Sequence, residues 1–299
     1  MVQTTCWPIA PLSHWSKGQD GTAYGGDPRS QLEFPVIDLR FVPNRDRPIY
    51  QTALAHRVAA QQSIPVVAIA QSLQQYMLRA VASLPSLSVE HAPWGQGPYL
   101  SLQNCQFRTT SSHYLQCELG DRAIALWLQA WLESSVQSAC SPASNAQSAF
   151  DPDPRALFQL QYTHARCCSL LRQAAQARLI TLQPRSPVPR LRATAIPWLD
   201  AQGQLYTHTR PERALIHCLF TVFDSFDPTA ALSLQQTWQL AQSLAQATQA
   251  VHQHCQLFGA MQAESRDRGH AYLGLMAITQ QVFYHLLEEK FYCVAPTEL

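Results

Sequence analysis

The stretch from Arg155 to Ile180 constrains the fold of this chain most, because its apolar residues repeat with the period of an α-helix. When the stretch is projected at about 100° per residue, these side chains occupy one arc about 100° wide. The residues of this arc are Leu157, Leu160, Cys167, Cys168, Leu171 and Ala175. Such a helix must bury its apolar arc against other elements. Further runs of the same period follow it, so residues 151–299 are predicted to form an all-α helical bundle.

The region before this bundle has shorter patterns, and the sequence predicts a small α+β domain over residues 34–133. Partial alternation predicts a strand over Phe34–Pro43, Asp46–Pro48 is typical of a helix start, and Pro65 opens a second helix. Asp121–Glu133 has helical composition. Residues 1–33 are predicted to be an irregular arm, and the Ser/Ala/Gln-rich residues 134–150 a linker.

Composition excludes several classes of protein. The net charge is only +1 and charged residues make up 14% of the chain, so no general basic field points to nucleic acid, and no DNA partner is expected. No apolar run approaches the ~20 residues of a membrane helix, and the N-terminus shows no signal-peptide pattern. The 9 cysteines include no Cys-x-x-Cys pair, which indicates reduced thiols and a cytoplasmic protein.

The polar side of the Arg155–Ile180 helix is a candidate RNA-binding surface. The side chains opposite the apolar arc are Arg155, Gln159, Tyr162, Arg166, Ser169 and Gln173. Tyr162 and Arg166 are neighbours at i, i+4, where a ring can stack on an unpaired base while a guanidinium holds its phosphate. Residues 154–199 contain seven arginines and no acidic residue, a pattern that a solvated basic surface would also show. His164 falls within the apolar arc and is predicted to be a hydrogen-bonded core residue.

The segment Gln161–Arg166, with sequence QYTHAR, resembles the opening helix of the DALR anticodon-binding domain of arginyl-tRNA synthetases. Pro211–Leu215 resembles a later helix of that family, and Val294–Leu299 is similar to its C-terminal ending. The resemblance covers residues 150–299 and implies that Tyr162 and Arg166 read an anticodon. Family members often carry an aromatic residue where this chain has Gln159, so one stacking surface is expected to be missing.

A weaker resemblance covers residues 48–103. Tyr50–Ala59 followed by Gly95–Leu102 is similar to the N-terminal additional domain of the same synthetases. In that family the domain contacts the tRNA elbow through a strand, and Tyr99 would lie in the corresponding strand here. The resemblance therefore implies a second RNA contact at Tyr99.

Motifs for other chemistry are absent from the sequence. It contains no phosphate-binding loop, no nucleophile elbow and no counterpart of the synthetase motifs His-Ile-Gly-His and Lys-Met-Ser-Lys-Ser. The nearby residues His252 and His254 project about 200° apart on a helix, which excludes a shared metal ion. We therefore expect no catalytic residue, no cofactor and no metal site, and no aminoacylation by this chain alone.

Two functions remain open from the sequence. One is a tRNA-binding accessory protein that retains the anticodon-binding module of arginyl-tRNA synthetase without its chemistry. The other is a protein–protein interaction module that has lost RNA binding and docks to a synthetase or another protein. The exposed Tyr162 and Arg166 favour RNA, whereas Gln159 and the low net charge favour the protein partner.

Overall fold

A computed structural model describes residues 39–42, 47–83, 104–133, 152–184, 186, 188–192, 195–226, 232–254 and 265–298. The chain divides into two compact units, residues 1–127 and 128–299. The predicted arm over residues 1–33, the predicted linker over 134–150 and Tyr99 all lie outside the described residues.

The first unit contains a four-stranded antiparallel sheet of order β1-β2-β4-β3. Its elements are β1 (Leu39–Val42), β2 (Ile49–Thr52), α1 (Leu54–Gln62), α2 (Val66–Ser83), β3 (Cys105–Thr109) and β4 (Leu115–Leu119). Residues along β4 alternate between buried and half-buried, as expected for a strand with one face in a core. Gln74 of α2 ties that helix to β3, because its Nε2 donates to the carbonyl oxygen of Phe107 at 3.0 Å. The predicted α+β character is confirmed.

The predicted helix start at Asp46–Pro48 is wrong. Ile49–Thr52 is instead strand β2, which hydrogen-bonds to β1 on one side and β4 on the other. The helix begins only at Leu54, whose backbone N–H donates to Thr52 Oγ1 at 3.2 Å. Pairing with the preceding strand β1 and with the distant strand β4 overrides the helix-start signal of the proline.

Helices make up most of the rest of the described chain. They are α3 (Asp121–Glu133), α4 (Pro154–Gln176), α5 (Arg210–Asp224), α6 (Leu234–His254) and α7 (Arg266–His285), followed by a π-helical turn over Leu286–Lys290. The boundary between the two units falls within α3. The predicted helical bundle is confirmed. No helix in the described ranges is long and apolar enough to cross a membrane.

Helix α4 begins where the sequence predicts and ends earlier. The carboxylate of Asp153 accepts hydrogen bonds from the N–H groups of Arg155 and Ala156, and Pro154 is the first helical residue. The helix was expected to continue to about Thr181 but ends at Gln176. Arg178, with φ of 59°, and the hydrogen bond from Leu179 N to Ala174 O close the helix in a Schellman motif. Arginine in the position that glycine usually fills gives no stop signal in the sequence.

The core of the second unit forms where α4 packs on α6 and α7, and where α5 packs on α6. Leu160, Cys167, Cys168 and Leu171 of the apolar arc of α4 are 0% exposed, and Leu157 and Ala175 are half-buried. Leu273, Met276 and Phe283 of α7 are also 0% exposed. This packing fixes which side of α4 faces water.

The connection between α4 and α5 is anchored on α7 by Trp198. Its indole Nε1 donates to Gln129 Oε1 at 2.9 Å, and its ring lies against Gly274. A Cβ atom at Gly274 would lie 2.7 Å from Trp198 Cη2 and 3.3 Å from Ile196 Cγ2. Glycine is therefore required in the middle of α7, where alanine would otherwise be favoured.

Gly274→Ala should destabilise the protein by about 1–3 kcal/mol, because the added methyl group overpacks the Trp198 contact. Urea unfolding followed by far-ultraviolet circular dichroism measures this change. In a Trp198→Phe background the ring is smaller, so Gly274→Ala should lower the free energy of unfolding much less. An increase in stability on Gly274→Ala, as at an ordinary helix position, would contradict this packing.

Candidate nucleic-acid interface

The water-facing side of α4, here called the α4 ridge, consists of Arg155, Phe158, Gln159, Tyr162, Arg166 and Gln173. Five of these side chains are exposed and Gln159 is half-buried. The predicted exposure of Tyr162 and Arg166 is therefore confirmed, and the structure brings all the described candidate residues onto one helix face. The sixth candidate, Tyr99, lies outside the described residues.

Phe158 belongs to the ridge although the sequence reasoning did not include it. Its side chain is 56% exposed and Tyr162 is 40% exposed. The two rings stack with centroids 6.3 Å apart and planes inclined by 28°. The spacing of aromatic residues at i, i+4 could have revealed this pair. The ridge thus carries a second ring, one position before Gln159.

Cations lie at both ends of the ring pair, whereas α4 itself carries no acidic residue. Arg155 stands one turn before Phe158, and Arg166 one turn after Tyr162. Arg172, the third arginine of α4, has a structural role instead: Nη1 donates to Thr297 O at 2.9 Å and forms an ion pair with Glu298 at 3.2 Å. The ridge therefore offers two exposed guanidinium groups and two rings to a ligand.

The C-terminal segment, residues 292–298, is held along α4. Gln161 Nε2 donates to Val294 O at 2.9 Å, and His164 Nδ1 lies 2.8 Å from Pro296 O. The π-helical turn and Tyr292, which has φ of 53°, turn the chain out of α7 to reach this position. These contacts hold the turns of α4 that carry Tyr162 and Arg166.

His164 is a core histidine, as predicted, and is 0% exposed. Because Nδ1 must donate to the carbonyl of Pro296, Nε2 accepts from Gln280 Nε2 at 3.0 Å. This arrangement satisfies the neutral imidazole. Burial lowers the pKa of His164, although the Pro296 carbonyl and Glu288 act in the opposite direction.

A second histidine, the half-buried His252, lies beside Cys167 and Tyr272. Its Nδ1 is 3.0 Å from Tyr272 Oη, and its Nε2 is 3.9 Å from Cys167 Sγ. Burial, with a further contribution from Arg166, lowers the pKa of His252 to about 4. Burial also raises the pKa of the Cys167 thiol far above its ordinary value. A thiol that stays protonated is no nucleophile, so this pair has a packing role.

The structure separates the two histidines considered for metal binding. His252 faces the core, whereas the exposed His254 has its Nδ1 2.8 Å from Ala250 O. Across the described parts of the chain, no group of three or more His, Cys, Asp or Glu residues could hold a metal ion.

Comparison with known families gives a match that begins within α4. Residues 160–288 match the family model of the DALR anticodon binding domain. The match begins inside α4 and includes Tyr162, Arg166 and Gln173, while Arg155, Phe158 and Gln159 precede it. It confirms the resemblance carried by Gln161–Arg166. The resemblance of residues 48–103 to a synthetase N-terminal domain stays a prediction.

The chain is also similar to a curated protein. It is 32% identical over 129 residues to an arginine–tRNA ligase of Gloeobacter violaceus, and this region makes up 42% of the chain. The chain spans 20% of the length of that ligase. No solved structure matches the chain.

His164→Ala should lower the free energy of unfolding by about 2–4 kcal/mol at pH 7, because it opens a cavity and unpairs Pro296 O and Gln280. Folding lowers the pKa of His164. The side chain therefore contributes its full stabilisation at pH values above its pKa in the unfolded chain, and this stabilisation is lost as the pH falls. The difference between wild type and variant should therefore shrink below pH ~6.5, by at most about 1.4 kcal/mol per pH unit. Urea unfolding at several pH values measures both effects.

Tyr162→Ala is the matched control, because it removes a larger side chain from the same helix. Its exposed position predicts a change within about 0.5 kcal/mol. Equal destabilisation by the two substitutions would contradict the assignment of buried and exposed faces to α4.

Proposed function

We propose that this protein binds structured RNA, and specifically a tRNA, through the α4 ridge. The observation that carries the proposal is Tyr162, an exposed ring one turn from the exposed Arg166, on a helix without acidic residues. The similarity of residues 160–288 to an anticodon-binding domain supports the same function. Unpaired bases of a tRNA loop can stack on the ring, while Arg155 and Arg166 bind phosphates or base edges.

Within this proposal the chain binds tRNA without charging it. The 299 residues contain 2 lysines, Lys17 and Lys290, and no motif like Lys-Met-Ser-Lys-Ser. The purified chain, incubated with tRNA, ATP and labelled arginine, should form no more arginyl-tRNA than a blank without protein. The role we propose is that of an accessory module, and labelled product above the blank would overturn this part of the proposal.

Tyr162→Ala should weaken tRNA binding about 5- to 100-fold, because stacking contributes ~1–3 kcal/mol per base. Titration of labelled total tRNA, followed by filter binding or fluorescence anisotropy, measures this change. Tyr162→Phe keeps the ring and should bind within about threefold of wild type. If Arg155 and Arg166 each neutralise one phosphate, log affinity should fall against log salt with a slope of about −1.4.

Two matched substitutions of arginine test the contribution of charge to binding. Arg166→Gln should reduce the magnitude of the salt slope by about 0.7. Arg210→Gln removes the same charge from an exposed position on α5 and should leave the slope unchanged. Undetectable binding at about 50 mM salt, or a Tyr162→Ala protein that binds as wild type, would overturn the proposal and favour the protein-docking module.

A further inference from the structure

Phe158 has an unusual environment for a phenylalanine of the helical unit. Phe220, Phe223 and Phe283 are 0% exposed, whereas Phe158 is 56% exposed. Its side chain has no polar group that would favour contact with water. The apolar arc of α4 is filled by other residues, so Phe158 is not required to complete the core. An exposed ring that the fold does not use is available to a ligand.

We propose that Phe158 is a second base-stacking residue, and that it forms with Tyr162 a two-ring platform for adjacent unpaired bases of an RNA strand. The inference rests on the proposed function, which assigns base stacking to Tyr162 alone. It adds a recognition residue that lies outside the matched part of the family, residues 160–288.

The geometry of the two rings suits such a platform. They are separated by one helical turn, with centroids 6.3 Å apart and planes inclined by 28°. This distance lies within the range of interacting aromatic pairs, so the rings present one continuous apolar surface. Every base has a π-face, and stacking on such a surface tolerates different base sequences.

Charge complementarity favours a nucleic acid over an apolar peptide on this surface. Arg155 and Arg166 stand at the two ends of the ring pair, where the phosphates of a strand crossing it would pass. Three described acidic residues near α4 have other partners, and the first of them, Asp153, caps the helix itself. Glu288 Oε1 accepts from Ala295 N at 2.8 Å, and Glu298 pairs with Arg172 at 3.2 Å.

Hydrogen bonds next to the two rings hold the helix that carries them. Gln161, adjacent to Tyr162, is anchored to Val294 O, and Thr163 Oγ1 donates to Gln159 O at 2.8 Å. The Asp153 cap fixes the turn that precedes Phe158. Because these hydrogen bonds already hold the helix that carries both rings, little conformational entropy of its backbone is lost on binding.

The test uses the full chain and two probes: total tRNA, and an RNA hairpin whose loop carries a fluorescent adenine analogue quenched by stacking. Phe158→Ala should weaken binding of both about 5- to 100-fold and reduce the quenching. Phe158→Leu, which keeps an apolar side chain without a ring, should be about as weak as Phe158→Ala. Phe158→Tyr should restore affinity to within about threefold of wild type, because its ring also stacks.

Leu232→Ala is the control for loss of an exposed apolar side chain, since Leu232 is 41% exposed and precedes α6. It should bind as wild type, and thermal melts of all variants should coincide. If Phe158→Leu binds as wild type, or Phe158→Ala changes neither affinity nor quenching, the two-ring platform is wrong.

The failure of this inference can be told from failure of the proposed function. Loss of affinity in Tyr162→Ala together with normal affinity in Phe158→Ala overturns only the role of Phe158. Absence of tRNA binding by the wild-type chain overturns both, and a protein ligand lost in both variants would then identify the ring pair as a protein-docking surface.

Discussion

The burial of one arc of α4 is the constraint on which the rest of the helical unit depends. Leu160, Cys167 and Leu171 are fully buried where α4 packs on α6 and α7. A helix is rigid about its axis, so burial of this arc determines that Tyr162 and Arg166 face water. His164 reinforces the orientation, because its two ring nitrogens contact Pro296 and Gln280 from inside the core.

The C-terminal segment links this packing to the candidate site. Residues 294–297 contact α4 through Gln161, His164 and Arg172, which span three turns of the helix. The contacts are made mainly to backbone carbonyls, so they depend on the path of the segment more than on its side chains. The π-helical turn and the left-handed Tyr292 set that path. Elements that are distant in sequence thus hold the helix that carries the ridge.

Local periodicity predicts the parts of this structure that depend on local order. It identifies the limits of α3, the Asp153 cap, the apolar arc and the burial of His164, because each depends on residues a few positions apart. It fails at Ile49–Thr52, where pairing with two other strands decides the outcome, and at Arg178, where a non-glycine residue closes the helix. The position of residues 292–298 along α4 also depends on contacts between residues more than 100 positions apart in the chain. No local pattern encodes such contacts.

Phe158 was missed for a different reason. Phe158 falls outside the apolar arc, and its i, i+4 spacing from Tyr162 could have indicated the pair, but the packed structure is needed to show that the ring is 56% exposed beside Tyr162. An exposed aromatic residue departs from the usual pattern in which a helix buries its apolar side chains. Such departures are expected at functional sites. The resemblance to a known domain and the exposure of the ring pair both support the same side of α4.

Ultraviolet crosslinking tests the central claim most directly, because it locates RNA on the protein without substitution. Trypsin cleaves after Arg155 and Arg166 and releases Ala156–Arg166, a peptide that contains both rings. After irradiation with total tRNA, mass spectrometry should find nucleotide adducts on this peptide, at Phe158 or Tyr162. Adducts confined to other peptides, with Ala156–Arg166 unmodified, would contradict the account.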